Sequence, residues 1–120
     1  MADYNKVILL GRLVRYPTLK ESQSGTAISE FTLAVNYTNA GRGQDETIFV
    51  DVTAWGGVAR ACAKTLARGS PVLVDGRLRQ EKWKTRDGQK RSKLSVTANN
   101  VMFLEKKKDS EVPDEEEFPF

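Results

Sequence analysis

The sequence contains no histidine and a single cysteine, Cys62. A catalytic site built on histidine is therefore excluded, and so is a zinc site made of cysteine and histidine ligands. One cysteine cannot form an intramolecular disulfide, which fits a reducing compartment. Glycine-rich phosphate loops of the Walker or dinucleotide-binding type are also missing. These absences argue against an enzyme, and they predict that the protein uses no metal or other cofactor.

Long apolar runs are missing as well. The first, Val7-Ile8-Leu9-Leu10, has four residues and no run is longer, whereas a membrane-spanning helix needs about 20. The first residues contain no apolar segment of the secretory type. A length of 120 residues suits one domain with its own core. We therefore expect a single cytoplasmic domain that does not enter a membrane.

The charged residues are distributed unevenly. Residues 1–108 contain all 19 lysines and arginines and 10 acidic residues, which gives a net charge of +9. The last twelve residues contain six acidic residues and no basic one, which gives −6. The basic body predicts a polyanionic partner, and the acidic end predicts a separate role.

The apolar pattern predicts five strands and one short helix. The strands are predicted over residues 5–14, 27–37, 47–55, 71–82 and 93–103, and the helix over residues 58–66. The segments between them, including residues 15–26 and 39–44, predict turns and loops, and Asp87-Gly88 predicts a hairpin turn. Cys62 falls on the apolar side of the helix, so we expect a buried structural thiol. This order predicts an all-β, five-stranded OB-fold barrel, with an SH3-like barrel as the alternative.

The alternation in the last three strands places large aromatic residues among polar ones. In the third strand, Phe49 and Trp55 lie on the polar parity. In the fourth, Trp83 shares its parity with Arg77 and Arg79. The opposite, apolar parity is predicted to face the core and comprises Ile48, Val50, Val52, Ala54, Val72, Val74, Leu78, Leu94, Val96 and Ala98.

Aromatics among cations on an open sheet face suit an unpaired nucleic-acid strand. Every base has a π-face, so stacking gives affinity without sequence choice, and lysine or arginine neutralises the phosphates. Loops over residues 39–45 and 84–93 flank this surface and are basic or glycine-rich. The competing interpretation is that the aromatics belong to the core or to an oligomer interface. Because three of them alternate with arginines on polar faces, we favour the binding surface.

The last seven residues form an acidic segment that ends in aromatic residues. They are Asp114, Glu115, Glu116, Glu117, Phe118, Pro119 and Phe120. A solubilising end is the simplest interpretation, but Phe-Pro-Phe adds nothing to solubility. An acidic run followed by an aromatic and a carboxylate suits an apolar pocket with a basic rim on a partner protein. We expect the chain beyond Glu105 to be disordered, with residues 106–113 as a linker and 114–120 as an interaction tail.

Four stretches together resemble the bacterial-type single-stranded DNA-binding protein family over nearly the whole chain. They are NKVILLGRL at residues 5–13, FTLAVN at 31–36, GSPVLVDGRL at 69–78, and the acidic end with Pro-Phe. The resemblance implies an OB-fold domain over residues 1–105 that forms a homotetramer and wraps single-stranded DNA. It also implies a nucleoid-associated protein whose tail recruits replication, recombination and repair proteins.

The resemblance further implies roles for particular residues. Bases would stack on the positions of Phe49, Trp55 and Trp83. The basic residues that we predict to contact phosphates are Arg12, Arg68, Arg77, Arg79, Lys82 and Lys84. Members of the family often carry another aromatic just after the second strand, but that position falls near Asn39 here. Tyr37 is the aromatic that is placed to replace it.

Two other functions stay open from the sequence. The barrel is also compatible with an OB-fold RNA-binding or cold-shock-like protein, which would use the same stacking surface on RNA. It is also compatible with an adaptor of the replication machinery, in which the barrel binds protein and the tail makes the main contact with partner proteins. Competition between DNA and RNA oligomers distinguishes the first alternative, and a pulldown with a tail-deleted chain distinguishes the second.

The linker is short compared with the long linkers of the family. Residues 106–113 span at most about 27 Å when extended. We therefore expect the tail to lie on its own basic body and to compete with DNA. Deleting residues 114–120 should then tighten the binding of single-stranded DNA at low salt, where the attraction is least screened. An affinity that stays unchanged in a titration at low salt would contradict this hypothesis.

Overall fold

The computed structural model describes residues 3–39, 41 and 43–105. Within them the chain forms six strands and one helix. The elements are β1 (Val7–Leu13), β2 (Thr18–Glu21), β3 (Ala27–Asn39), β4 (Gln44–Trp55), α1 (Gly56–Thr65), β5 (Pro71–Lys84) and β6 (Lys90–Phe103). The predicted linker and tail, residues 106–113 and 114–120, lie outside the described residues.

Five of these strands close into a barrel in the order β1-β5-β6-β4-β3. The barrel closes where the end of β1 pairs with β3, at Arg12↔Ala34 and Leu13↔Leu33. The pairing of β4 with β6 is parallel, and the other neighbours are antiparallel. The single helix lies between β4 and β5 in the chain. This topology confirms the predicted five-stranded OB-fold barrel.

The core fills the inside of the barrel with small aliphatic side chains. Leu33, Val52, Val72, Val74 and Val96 are fully buried. From α1, Ala59 and Cys62 join the same cluster. Burial raises the pKa of the Cys62 thiol to about 11, because the thiolate would lose its hydration. The thiol is therefore protonated at neutral pH, and the prediction of a buried structural cysteine is confirmed.

The prediction of a loop over residues 15–26 is wrong at β2. This strand lies antiparallel to the start of β3, from Thr18↔Glu30 to Glu21↔Ala27. All four of its side chains are exposed. An apolar alternation needs one buried face, so the sequence contains no pattern that reveals this strand.

The predicted core positions Ile48, Leu78 and Leu94 are also wrong, because these side chains are 43%, 44% and 62% exposed. β3 and β4 continue beyond the barrel as a two-stranded ribbon, and so do β5 and β6. In a two-stranded ribbon no second layer of the sheet packs against the side chains on the inner side. This explains the exposure of Ile48 and Leu94. Leu78 is paired with the buried Val96, but β1 pairs with β5 only as far as Gly76, so no strand of the described residues lies on the other side of Leu78.

A close contact between β5 and β6 requires glycine at position 76. The register of the two strands shifts at this point, from Asp75↔Asn100 to Gly76↔Ala98. A Cβ atom on Gly76 would lie 2.1 Å from the carbonyl oxygen of Thr97. Backbone atoms cannot move away as a flexible side chain can, so the two strands would have to separate.

We expect Gly76→Ala to lower the free energy of unfolding by about 1–3 kcal/mol, the usual cost of overpacking. Gly57→Ala is the matched control, because a Cβ there meets nothing within 4 Å and alanine favours the helix. Urea unfolding of both variants checks this prediction. Equal stability of the two would show that β5 and β6 do not approach as closely as described.

Candidate nucleic-acid interface

An ion pair joins β4 and β6 on the outside of the barrel. The Lys93 Nζ donates to Asp51 Oδ2 at 2.7 Å, and the Thr32 hydroxyl donates to Asp51 Oδ1 at 2.9 Å. The parallel register Val52↔Val96 brings these residues together although they are far apart in the chain. Strands β3, β4 and β6 thus share one polar surface at this point.

This surface continues into three grooves. The central groove is lined by Arg15, Tyr16, Thr18, Glu30, Phe31, Thr32, Asp51, Val52, Thr53, Glu81 and Lys93. The Trp83 groove is lined by Arg79, Gln80, Glu81, Lys82, Trp83 and Lys93, and the Trp55 groove by Asn5, Trp55, Val58, Arg77, Leu78, Arg79, Thr97, Ala98 and Asn99. The central groove and the Trp83 groove share Glu81 and Lys93, and the Trp83 groove and the Trp55 groove share Arg79. The three grooves therefore form one surface. We call this surface, with Phe49 included, the groove face.

The three predicted aromatics are exposed on the groove face. Phe49, Trp55 and Trp83 are 66%, 43% and 46% exposed. Phe49 lies two residues before Asp51 on the same side of β4. Trp55 ends β4 and lies beside Arg77 and Arg79. The interpretation that these aromatics are core residues is therefore wrong for the barrel described here, and the interpretation that they lie in an oligomer interface stays a prediction.

The basic residues that were predicted from sequence divide into two groups. Arg77, Arg79, Lys82 and Lys84 lie with the tryptophans, and Lys84 lines a further groove around Trp83 together with Lys90 and Arg91. Arg12 and Arg68 do not line these grooves. Arg12 is half-buried in β1 where the barrel closes, and Arg68 lies in the turn between α1 and β5.

Some residues of the groove face were missed from the sequence. Arg15 and Tyr16 lie in the connection before β2, which was predicted to be a loop without a role. Lys93 and Arg91 fall in the basic loop over residues 84–93 that was predicted to flank the surface, but neither was named as a site residue. Arg91 is the β6 partner of Trp83, so a correct register of the β5–β6 hairpin would have identified it.

The ion pair in the central groove favours the charged forms of both of its members. The hydrogen bond from Lys93 is the main cause that lowers the pKa of Asp51, and the same bond raises the pKa of Lys93. Both side chains are nearly half exposed, so the pair contributes at most about 1 kcal/mol to stability. Because the pKa of Asp51 is lowered on folding, this contribution exists at neutral pH and is lost as the pH falls through that lowered pKa.

Tyr37 lies on the other side of the β3–β4 ribbon. Its Cα partner is Glu46, whereas Phe49 is paired with Ala34. The Tyr37 hydroxyl donates to Glu46 Oε1 at 2.7 Å, and this bond raises the pKa of Tyr37. Successive residues of a strand face opposite sides. Tyr37 therefore does not replace, on the groove face, the aromatic that is missing near Asn39.

Two further observations limit the chemistry of the described part of the chain. Among residues 3–39, 41 and 43–105, no three or more cysteine, aspartate or glutamate side chains are grouped so that they could hold a metal ion. The one helix in these residues, α1, is too short to cross a membrane.

A closed barrel of this topology, with aromatics and cations exposed on one face, defines an OB-fold protein of the oligonucleotide-binding class. The model of the Single-strand binding protein family matches residues 4–104. The chain belongs to this family.

Several curated relatives are similar over most of the chain. A protein of Aquifex aeolicus named single-stranded DNA-binding protein is 44% identical over 94% of this chain and 78% of its own length. A protein of the same name from Thermotoga maritima is 38% identical over 98% of this chain and 85% of its own. Single-stranded DNA-binding protein 2 of Chlorobaculum tepidum is 34% identical, with coverages of 98% and 82%.

Proposed function

We propose that this protein binds single-stranded DNA without sequence preference and is not an enzyme. The observation that carries the proposal is the exposure of Phe49, Trp55 and Trp83 on one side of their strands, with Arg79 lining the grooves of both tryptophans. Membership of the Single-strand binding protein family and the names of the relatives support DNA as the ligand.

Binding would combine two kinds of contact. Bases stack on Phe49, Trp55 and Trp83, and each stacked base contributes about 1–3 kcal/mol whatever its identity. Phosphates between the bases are neutralised by basic residues of the groove face and of the further groove around Trp83, which releases counterions. The cations proposed for this role are Arg77, Arg79, Lys82 and Lys84, together with Lys90 and Arg91. Arg12 and Arg68 would reach DNA only if the strand leaves the groove face.

The proposal is tested by competition. A labelled DNA strand bound to the protein is challenged with unlabelled DNA strand, RNA strand or duplex of the same length. We expect the DNA strand to displace the label at the lowest concentration, and duplex to be the poorest competitor. Stronger displacement by RNA would favour the RNA-binding alternative. No binding of any of them, with partner capture through the tail intact, would favour the adaptor.

We propose that the homo-oligomer, expected to be a tetramer, forms through the side of the barrel that includes β1. Here Ile8, Leu10 and Met102 are 57%, 39% and 52% exposed on the outer side of neighbouring strands. Among the described residues β1 pairs with β3 only at Arg12 and Leu13, so no strand described here is paired with the other side of residues 7–10. Light scattering should give four times the chain mass of 13.4 kDa. A monomeric mass would overturn this assignment.

The cellular role follows as part of the same proposal. A protein that covers single strands acts in replication, recombination and repair, and it is associated with the nucleoid. Residues 114–120 would recruit partner proteins by their acidic and aromatic chemistry. A pulldown with the full chain and with a chain that lacks these residues tests the recruitment. Equal capture of replication proteins by both chains would contradict it.

Asp51 places a negative charge on the proposed DNA surface. We expect Asp51→Asn to tighten the binding of single-stranded DNA about two- to fivefold at low salt, because it removes repulsion and releases Lys93. The salt dependence should become steeper by about 0.7, the value for one additional phosphate contact. Titrations at several salt concentrations measure both effects.

Asp75→Asn is the matched control for this variant. Asp75 also pairs with a lysine, Lys6, at 3.2 Å, and its exposure is similar to that of Asp51, but it does not line the three grooves. If both variants gain the same affinity, only the net charge of the protein matters. That result would contradict a local effect at the central groove.

A further inference from the structure

We propose that Tyr16 is a fourth stacking residue and that one base of the bound strand enters the central groove beside its ring. This inference rests on the proposed function, because it assumes that the groove face holds single-stranded DNA. It adds a residue from the connection between β1 and β2 to the three aromatics of β4 and β5. Tyr16 is not among the stacking positions that the resemblance to the family implies.

Contacts on both sides fix the backbone around Tyr16. The backbone N–H of Val14 donates to the carbonyl oxygen of Thr32 at 2.9 Å. The Thr18 hydroxyl donates to the carbonyl oxygen of Glu30 at 3.3 Å, and Thr18 and Glu30 are paired. Tyr16 thus lies beside residues 30–32 of β3 and lines the groove there, while 68% of the residue stays exposed. An aromatic ring held in this way is available for a ligand.

The position of Tyr16 fills a gap between two other aromatics. Phe49 and Trp55 are six residues apart on β4, which corresponds to about 20 Å along a strand. Between them, on the same side, lie Asp51 and Thr53, and neither offers a ring. A nucleic-acid strand that contacts both aromatics must pass this interval. The groove that Tyr16 lines contains both Asp51 and Thr53, so the ring is placed where β4 has none.

The charges of the central groove favour a base over a phosphate. Its lining includes the carboxylates Glu30, Asp51 and Glu81 but only two cations, Arg15 and Lys93. Lys93 is already held by Asp51 at 2.7 Å. A phosphate would be repelled by this lining, whereas a neutral base meets acceptors for its amino and imino groups. The volume of about 290 Å³ suits a ligand of this small size.

The test compares three variants in a titration with a single DNA strand at one moderate salt concentration. Tyr16→Ala should weaken binding at least about fivefold, the lower limit for loss of one stacked base. Tyr16→Phe keeps the ring and should stay within about twofold of the unchanged chain. Tyr37→Ala is the control, because it removes an exposed tyrosine from the other side of the β3–β4 ribbon, and it should also stay within about twofold.

A cross-linking experiment tests the contact directly. A strand that carries 5-iodouracil is irradiated in the complex, and the protein is then digested with trypsin. Cleavage after Arg15 and after Lys20 releases residues 16–20, YPTLK, whose single aromatic is Tyr16. We expect DNA to be attached to this peptide. Its absence among the cross-linked peptides, when peptides with Trp55 or Trp83 are present, would overturn the inference.

The outcomes separate this inference from the proposed function. If the unchanged chain does not bind single-stranded DNA, the proposed function fails first. If it binds and Tyr16→Ala binds equally well, only the role of Tyr16 is overturned. Equal losses in Tyr16→Ala and Tyr37→Ala would also overturn it, because the effect would then not belong to the groove face. A changed oligomeric mass in Tyr16→Ala would place the ring at a subunit contact instead.

Discussion

Replacing Trp55 and Trp83 together with alanine is expected to lower the affinity for single-stranded DNA about 30-fold or more. Each ring should stack on one base and contribute about 1–3 kcal/mol, so two losses amount to at least about 2 kcal/mol. The tryptophans lie in different grooves that share only Arg79, so we expect their effects to be close to additive. Titration by fluorescence anisotropy of a labelled strand measures the affinity without using the tryptophans as the probe.

The corresponding phenylalanine variants are the control for this prediction. Phenylalanine keeps a π-face, so Trp55→Phe and Trp83→Phe should each retain most of the affinity. Trp55 immediately precedes α1, so thermal unfolding of every variant must show that the barrel is intact. If the double alanine variant is folded and binds within twofold of the unchanged chain, the tryptophans do not carry the binding.

Exchanging Arg77 and Arg79 together for glutamine should change the salt dependence of binding. Each phosphate contact contributes about 0.7 to the slope of log K against log salt, so the slope should fall by about 1.4. Arg77 and Arg79 both lie beside Trp55, and Arg79 also lines the Trp83 groove. The loss of affinity should be largest at low salt and should shrink as salt increases.

Arg60→Gln together with Lys64→Gln gives the same change of charge on α1. Arg60 pairs with Glu21 at 3.6 Å. Neither Arg60 nor Lys64 lines any of the three grooves. We expect the slope to stay within about 0.3 of that of the unchanged chain. Equal slopes for the two double variants would mean that DNA responds to net charge and does not lie along β5.

The closed barrel was predictable because its strands alternate where two layers face each other. Val52 and Ala54 in β4, and Val72 and Val74 in β5, repeat every second residue and are buried. The helix was predictable from an apolar side that includes Cys62. β2 was not, because all of its side chains face solvent and it has no apolar pattern.

The sequence also did not show where the apolar side of a strand stops being covered. Ile48, Leu78 and Leu94 continue the apolar alternation but are exposed, and Leu78 is exposed although its β6 partner Val96 is buried. Parity shows which side a residue faces, but it does not show whether another element covers that side. The same alternation therefore predicted core positions correctly only where a neighbouring element covers them.

The candidate site was predictable only as far as it lies within single strands. Alternation placed Phe49 and Trp55 on one side of β4, and it placed Trp83 with the arginines of β5. The pairing of Lys93 with Asp51 joins residues 42 positions apart, and it depends on the parallel register of β4 and β6. Tyr16 comes to the site through the connection between β1 and β2. Contacts between residues that are far apart in the chain can be identified only when the strand pairing and the connections of the fold are known.

The most direct test of the central claim is a titration of the intrinsic tryptophan fluorescence with a homopolymeric DNA strand, a matching duplex and an RNA strand at two salt concentrations. The account predicts strong quenching by the DNA strand, because Trp55 and Trp83 stack on its bases. It predicts weaker binding at the higher salt concentration and little quenching by duplex, whose bases are already stacked. No quenching by the DNA strand, or an equal response to duplex, would contradict the stacking mechanism and favour the adaptor.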